Sequence, residues 1–385
     1  MNLRQMIDPT LIGVGNLIGN IISAVFWLLI ASIVNVHDYG EINYQLALAS
    51  LLATGSLLGL NNTIVTFLAK GNELLLKQAS FLVLLLTSAL SVVLALFNQV
   101  PAAILLLGIN AFSITMAEAV GRKHYKQYAL VVIANRAIQF GLAVALYYVI
   151  GPQGIIIGYA LSSLILGYRL FFLIKKSVGT APLLSMNEIR PKMRFTMHAF
   201  SLAISQVLSM YLDKLIIAPI AGFAILGLYQ FGYQFLMFLS VIPASLYQYL
   251  LSQEASGIER PTVKKLGLMG SIVIAIVSYF SIPFLIKSLF PNYSGAITSA
   301  QIMVFGVIPL TLNSIMNSRL LGTENTRPVL IGSGTYVGSL VLLLLLLKDS
   351  LGLIGLALSP VISQSLQSLT IWLASRKKYY IQSRH

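Results

Sequence analysis

The chain contains no cysteine, which excludes disulfides, thiolate metal sites and cysteine nucleophiles and leaves the redox compartment open. Charge is scarce: 9% of residues are Asp, Glu, Lys or Arg, against about 25% in an ordinary soluble domain. Acidic residues are the rarest of these, 11 in all. On the loops expected outside, Asp38, Glu41 and Asp349 are scattered, so the paired carboxylates of a glycan-processing enzyme are missing. His37, His124, His198 and His385 stand on different segments and form no metal motif. No Walker P-loop occurs, so ATP hydrolysis by this chain is not expected. Catalysis, a cofactor and a bound metal are therefore not expected. The start, MNLRQMIDPT, lacks a basic n-region with a cleavage site, so the first apolar run reads as a retained span. Long polar stretches are also absent; the longest, 175–194, is a connector.

What the chain has is apolar length. Hydrophobic residues make up 57%, and the mean hydropathy is +0.86. A membrane-crossing helix needs about 20 mostly apolar residues, and about 12 segments qualify. They lie at 10–36, 42–69, 78–97, 101–120, 128–150, 154–174, 196–219, 224–250, 266–288, 296–321, 328–347 and 352–374. The expected fold class is an all-α polytopic membrane protein.

The net charge of +14 reads as topology. With the N-terminus in the cytoplasm, the cytoplasmic breaks carry Lys70 and Lys77, then Arg122, Lys123 and Lys126, and later Arg260, Lys264, Lys265, Arg319 and Arg327. The opposite side has Lys287 and Lys348, with Lys214 nearby. That asymmetry is the positive-inside bias, with both termini cytoplasmic in a cell membrane. The basic surplus then faces anionic membrane lipid, and no nucleic-acid partner is expected.

The connector divides the chain into an N-terminal lobe at 1–174, a linker at 175–195 and a C-terminal lobe at 196–385, each lobe with about six spans. Gly40 and Gly227 fall at matching places, each after a span ends and near a tyrosine that opens the next helix. An even number of spans per half gives both the same orientation. That is a parallel repeat around a central cavity, in a monomeric transport unit.

Those residues also carry a resemblance. The first half reads Asp38-Tyr-Gly-Glu-Ile-Asn-Tyr44, then Leu58-Gly-Leu-Asn-Asn-Thr-Ile-Val-Thr-Phe-Leu-Ala69. The second adds Tyr211-Leu-Asp-Lys-Leu-Ile-Ile-Ala218, Leu226-Gly-Leu-Tyr229 and Leu289-Phe-Pro-Asn-Tyr293. The pattern resembles the polysaccharide (Wzx-type) flippases of the multidrug/oligosaccharidyl-lipid/polysaccharide (MOP) exporter superfamily. One departure is Thr66, where such proteins often carry an arginine. The resemblance implies a MATE/MurJ-like fold whose hydrophilic cavity passes the sugar headgroup of a lipid-linked glycan outward.

Candidate cavity residues follow from the cost of polar groups in hydrocarbon. Asp213 and Lys214 lie roughly 9 Å inside the outer end of the seventh span at 1.5 Å per residue. As helical neighbours they point about 100° apart, so simple mutual neutralisation is not expected. Lys214 can snorkel; Asp213 is too short to do so. Arg136, beside Asn135, lies deep in the fifth span, where a guanidinium fork suits a pyrophosphate and snorkelling inward suits it equally. Glu118 and Arg122 read as an exposed i,i+4 pair. Asn16/Asn20 and Asn313/Asn317 each put two amides on one helix face, and Asn61, Asn62, Gln206, Gln230 and Tyr233 join them. They either line a wet lumen or bond helix to helix. Gly15-xxx-Gly19 inside an apolar run is a close-packing motif. Pro243, Pro283, Pro309 and Pro360 interrupt second-half spans and mark the C-terminal lobe as the one that bends more.

Two function classes compete for this architecture. The first is a flippase for lipid-linked glycans, with H⁺ or Na⁺ as candidate coupling ions. The second is a MATE-type drug or organic-cation antiporter, which calls for buried acidic residues in the first half. The first six spans hold no acidic residue away from a helix end, which favours the flippase.

Overall fold

In this computed structural model, residues 3–170, 172 and 186–382 are described. The chain enters as α1 (Leu3–Ile33), α2 (Val36–Leu57), α3 (Leu60–Leu68), α4 (Glu73–Leu96), α5 (Val100–Gly121), α6 (Tyr125–Ile150) and α7 (Gln153–Leu166). It continues with α8 (Met193–Ala221), α9 (Phe223–Leu239), α10 (Val241–Ala255), α11 (Pro261–Leu289), α12 (Ile297–Met303), α13 (Val307–Gly322) and α14 (Arg327–Gln382). Among the described residues nine helical segments are long and apolar enough to cross a membrane, or ten with the bent α2–α3 pair. The shortfall from about 12 has local causes. The second expected span breaks by 49° between α2 and α3, where Leu58 and Gly59 take φ of 49° and 76°. The sixth is described as a helix of only 14 residues, and the last two run on as α14, interrupted at Gly352 with φ 54°.

Two compact units form. Unit 1 holds residues 1–33 and 42–211; unit 2 holds 34–41 and 212–385. The division therefore falls inside α8. Of the connector, 186–192 is described, and it docks on unit 1. Asn72 Nδ2 donates to Glu188 Oε2 at 2.7 Å, and Lys192 Nζ reaches the same oxygen at 3.0 Å. These two partners, Asn72 first, hold the Glu188 carboxyl below the usual carboxylate range. The start of α8 follows it down: Thr63 and Thr196 share a hydrogen bond of 2.9 Å. A Cβ on Gly59 would lie 2.6 Å from the Phe200 nitrogen, so only glycine lets the two backbones approach.

Small residues set the helix spacing in unit 1. A Cβ on Gly15 would stand 2.8 Å from Ala129 Cα, which seats α1 on α6 as the Gly15-xxx-Gly19 motif leads one to expect. Gly108 approaches Ala160 O in the same way and brings α5 against α7. Leu60, Ile64, Leu75, Leu76, Val83 and Ile114 fill the core between α3, α4 and α5. Within that core the Asn110 amide donates to Ser56 and Thr87, both at 2.7 Å, tying three helices together.

Glu118 departs from the exposed pair expected of it. Its side chain is buried and held by two arginines, Arg122 Nε at 2.9 Å and Arg169 Nε at 3.3 Å. Arg122 also forks onto both oxygens of Glu73, at 2.6 and 2.7 Å. Glu73 foremost among these partners raises the Arg122 pKa further. The second arginine arrives from 51 residues along the chain, which no i,i+4 reading anticipates.

In unit 2, α9 packs on α12 where Gly232 meets Ser299 and Ala300, and α13 crosses α10 at Gly322. Of the four prolines, Pro283 and Pro360 sit inside helices, as does Pro219 of α8. Pro243 and Pro309 instead fall in the first turns of α10 and α13, where a missing N–H costs no helical bond.

Candidate functional site

Two separate groups of polar side chains emerge, one in each unit. In unit 1 they follow the seam between α1 and α6. Tyr128 OH donates to Asn16 Oδ1 at 3.2 Å. Beside it Gly15 lies on Ala129; one turn further, Gly19 lies on Val132 and on the stem of Arg136. Asn16 and Asn20, each one position past a seam glycine, are exposed. Tyr128 also lines a cavity of about 280 Å³ with Asn61, Asn62, Ser113 and Met116. Asn16, Asn61, Asn62 and Arg136 therefore belong to one continuous stretch of unit 1, with Asn20 beside it.

Arg136 is the unusual member. Its Nη1 donates to Gln139 Oε1 at 3.0 Å and to Tyr159 OH at 3.1 Å, and its guanidinium stands 6.0 Å from the Tyr159 ring centre. Among the described residues no carboxylate lies within ion-pair distance of it. An amide and a phenol orient the fork without cancelling its charge. The acidic side chains described in unit 1, Glu73, Glu118 and Glu188, are each engaged by arginine or lysine elsewhere. Asn135 is buried next to Arg136, and its Nδ2 finds no hydrogen-bond acceptor among the described residues.

In unit 2 the centre is Asp213. Lys214 does neutralise it, contrary to the expectation from helical spacing. The four-carbon stem bends back so that Nζ lies 2.9 Å from Oδ1 and 3.1 Å from Oδ2. The 100° offset governs where the Cβ atoms point, not where a flexible stem can end. Tyr229 OH donates to Asp213 Oδ2 at 2.7 Å, and Lys214 Nζ stands 4.6 Å over the Tyr233 ring. Both charges are buried, so neither snorkels to an interface. Gln230, between the two tyrosines in sequence, keeps a buried Oε1 without a hydrogen-bond donor among the described residues.

Asn313 belongs to a neighbouring set in unit 2. Its Nδ2 donates to the Gln364 carbonyl at 3.2 Å and to Gln367 Oε1 at 3.3 Å, and Ser368 Oγ donates to its Oδ1 at 2.8 Å. This is helix-to-helix bonding between α13 and α14. Asn317, one turn on, has a buried Oδ1 with no such partner among the described residues. Gln206 is exposed on α8 and joins neither group.

Tyr128, Tyr159 and Gln139 were not legible as site residues, because a single phenol or amide on a helix carries no pattern of its own. Tyr229 had a signal, since it stands one turn before Tyr233 and stacks on it with centroids 6.1 Å apart. The separate-segment reading of the histidines missed a local group: His37, Asp38 and Glu41 hold their ligand atoms within 4.8 Å of one another. Asp38 there already accepts from Asn35 Nδ2 at 2.7 Å.

Residues 9–251 match the family model described as polysaccharide biosynthesis protein. No curated protein sequence matches the chain. Among solved structures, one described as lipid II flippase MurJ, inward closed conformation, aligns with TM-score 0.78 and 13% identity over 95% of this chain and 87% of its own. An inward-facing multidrug resistance MATE family transporter of the MOP superfamily aligns with TM-score 0.69 and 12% identity, over 95% of this chain and 96% of its own. An outward-facing one gives 0.58 and 12%, over 97% and 95%. At such identities the likeness establishes the fold alone, an all-helical bundle like those of these transporters.

Proposed function

Because the chain belongs to the polysaccharide biosynthesis protein family, we propose that it is a flippase. It carries a lipid-linked oligosaccharide from the cytoplasmic to the outer leaflet of the cell membrane by alternating access. The observation that carries this reading is Arg136, a guanidinium within a membrane helix that has no carboxylate partner among the described residues and is aimed by Gln139 and Tyr159. A cation left uncompensated in a low-dielectric site favours an anionic ligand. The planar fork suits the paired oxygens of a phosphate or diphosphate linkage. Asn16, Asn20, Asn61 and Asn62 offer amides along the same stretch, and amides satisfy sugar hydroxyls without fixing charge.

Asp213 and Lys214 take a different role in this reading. Their charges satisfy each other, so the pair braces α8 against α9 and does not bind substrate. The open Oε1 of Gln230 and Oδ1 of Asn317 are among the unit 2 atoms left to accept a hydroxyl.

The rival, a drug or organic-cation antiporter, draws on the MATE likeness. Its need for a free buried carboxylate in unit 1 is not met by Glu73, Glu118 or Glu188, each of which is ion-paired. The test is depletion of the protein in its host. Polyprenyl-linked oligosaccharide should then accumulate on the cytoplasmic leaflet; an unchanged leaflet distribution removes the proposal.

A further inference from the structure

A cavity of about 460 Å³ opens at one end of unit 2, apart from every group above. Its walls are the ends of α10 and α13 and a late turn of α14, and Gly322 lets α13 approach: a Cβ there would lie 2.9 Å from Glu254 Cβ. The charge pattern of the sequence places this end on the cytoplasmic side.

The charges around the cavity are paired off. Glu254, with its side chain buried, forms an ion pair with Lys264, and Arg319 Nη2 lies 3.5 Å from a Glu259 oxygen. A lining whose charges cancel selects neither an anion nor a cation. The remaining features are neutral. Trp372 presents an indole that is 43% exposed. Asn325 lines the cavity half-buried, and its amide makes no hydrogen bond to the described residues. Thr323 uses its hydroxyl proton on Arg319 O at 3.0 Å and keeps a lone pair to accept with.

A flat π face beside neutral donors and acceptors complements a ligand that is apolar on one face and hydroxylated at its rim. The C–H face of a sugar ring is weakly positive and meets the negative face of an indole, while its hydroxyls take the amide and the threonine oxygen. The volume falls within the ~300–1,000 Å³ typical of small-ligand sites. We infer that this cavity binds a neutral pyranose ring, with Trp372 as the stacking wall and Asn325 as the principal hydrogen-bonding group. The inference rests on the glycan reading above, and two sources can supply the ring: the headgroup of the lipid-linked glycan, or free cytosolic sugar.

The test uses the full chain in detergent. Trp27 and Trp372 are its two tryptophans, so a Trp27→Phe variant makes emission report on the cavity wall alone. Methyl glucoside, methyl galactoside and methyl N-acetylglucosaminide are titrated in turn, with glycerol at equal osmolarity as control. The expected result is a saturable emission change with at least one glycoside and none with glycerol. Asn325→Ala should weaken it about tenfold, the equivalent of one hydrogen bond. Thr323→Ala replaces that variant if circular dichroism shows it unfolded. No saturable response, an equal response to glycerol, or unchanged affinity in the folded variants overturns the inference. In cells carrying Trp372→Ala, lost delivery of glycan to the outer leaflet assigns the site to the headgroup, and normal delivery assigns it to free sugar. Binding is read without transport, so its failure leaves the flippase proposal standing, and failure of leaflet trapping leaves the titration valid.

Discussion

Gly40 and Gly227, which occupy matching places in the two sequence halves, touch each other inside unit 2: a Cβ on Gly40 would lie 2.8 Å from the Gly227 nitrogen. The fit is tight in both directions, since that Cβ would also strike the Phe223 carbonyl and one on Gly227 would strike the Val36 carbonyl. Tyr39 beside Gly40 is fully buried and meets Tyr293 edge-on at 5.7 Å, so the segment 34–41 is seated on its unit by aromatic packing as well.

Backbone atoms cannot rotate away as a side chain can. Gly40→Ala and Gly227→Ala should therefore each cost about 1–3 kcal/mol, the range of an overpacked core. Gly141→Ala, with nothing within 4 Å of the new Cβ, should be neutral or slightly stabilising. Thermal stability of the purified variants in detergent checks the contrast. Equal melting for Gly40→Ala and Gly141→Ala would refute the seating described.

The Asp213–Lys214 pair predicts a coupled effect. Removing one charge leaves the other buried alone, which costs roughly 3–5 kcal/mol; removing both should recover most of that. Asp213→Asn and Lys214→Met should each reduce the folded yield, and the double variant should approach the parent. Additive losses in that cycle would show that the two side chains act independently.

Glu188 gives a pH dependence. Its folded pKa is depressed by Asn72 and Lys192. The latch it forms is therefore fully present above the ordinary glutamate value of about 4.3 and is lost as pH falls through the lower folded value. Hydrogen-exchange protection factors of residues 186–192, taken relative to the intrinsic rate at each pH, should be high near neutrality and fall in that acidic window. In Glu188→Gln the loss of protection with falling pH should vanish; if it persists, another group controls the latch.

Several of these features were readable before folding and others were not. Apolar length revealed the bundle, and Gly15-xxx-Gly19 revealed the α1–α6 seam, because close helix packing needs small residues at one-turn spacing. The bend at Leu58–Gly59 was hidden inside a stretch read as one continuous span, 42–69, where a positive φ at Leu58 has no compositional trace. The burial of Glu118 depends on Arg169, and the neutrality of Asp213 depends on how a flexible lysine stem folds back. Both are decided by tertiary approach, which spacing along one helix does not encode. The amides were visible as a set, yet Asn313 proved to be helix-bonding while Asn16, Asn61 and Asn62 gathered near Tyr128.

The central claim is most directly tested by one-directional transfer in liposomes. The purified chain is reconstituted with a polyprenyl-diphosphate oligosaccharide, and the glycan exposed on each leaflet is followed with a membrane-impermeant glycosidase. The account predicts transfer by the parent and at least a tenfold slower rate for folded Arg136→Gln, since about 1.4 kcal/mol of anion binding corresponds to that factor. Transfer by Arg136→Gln at the parental rate would contradict it.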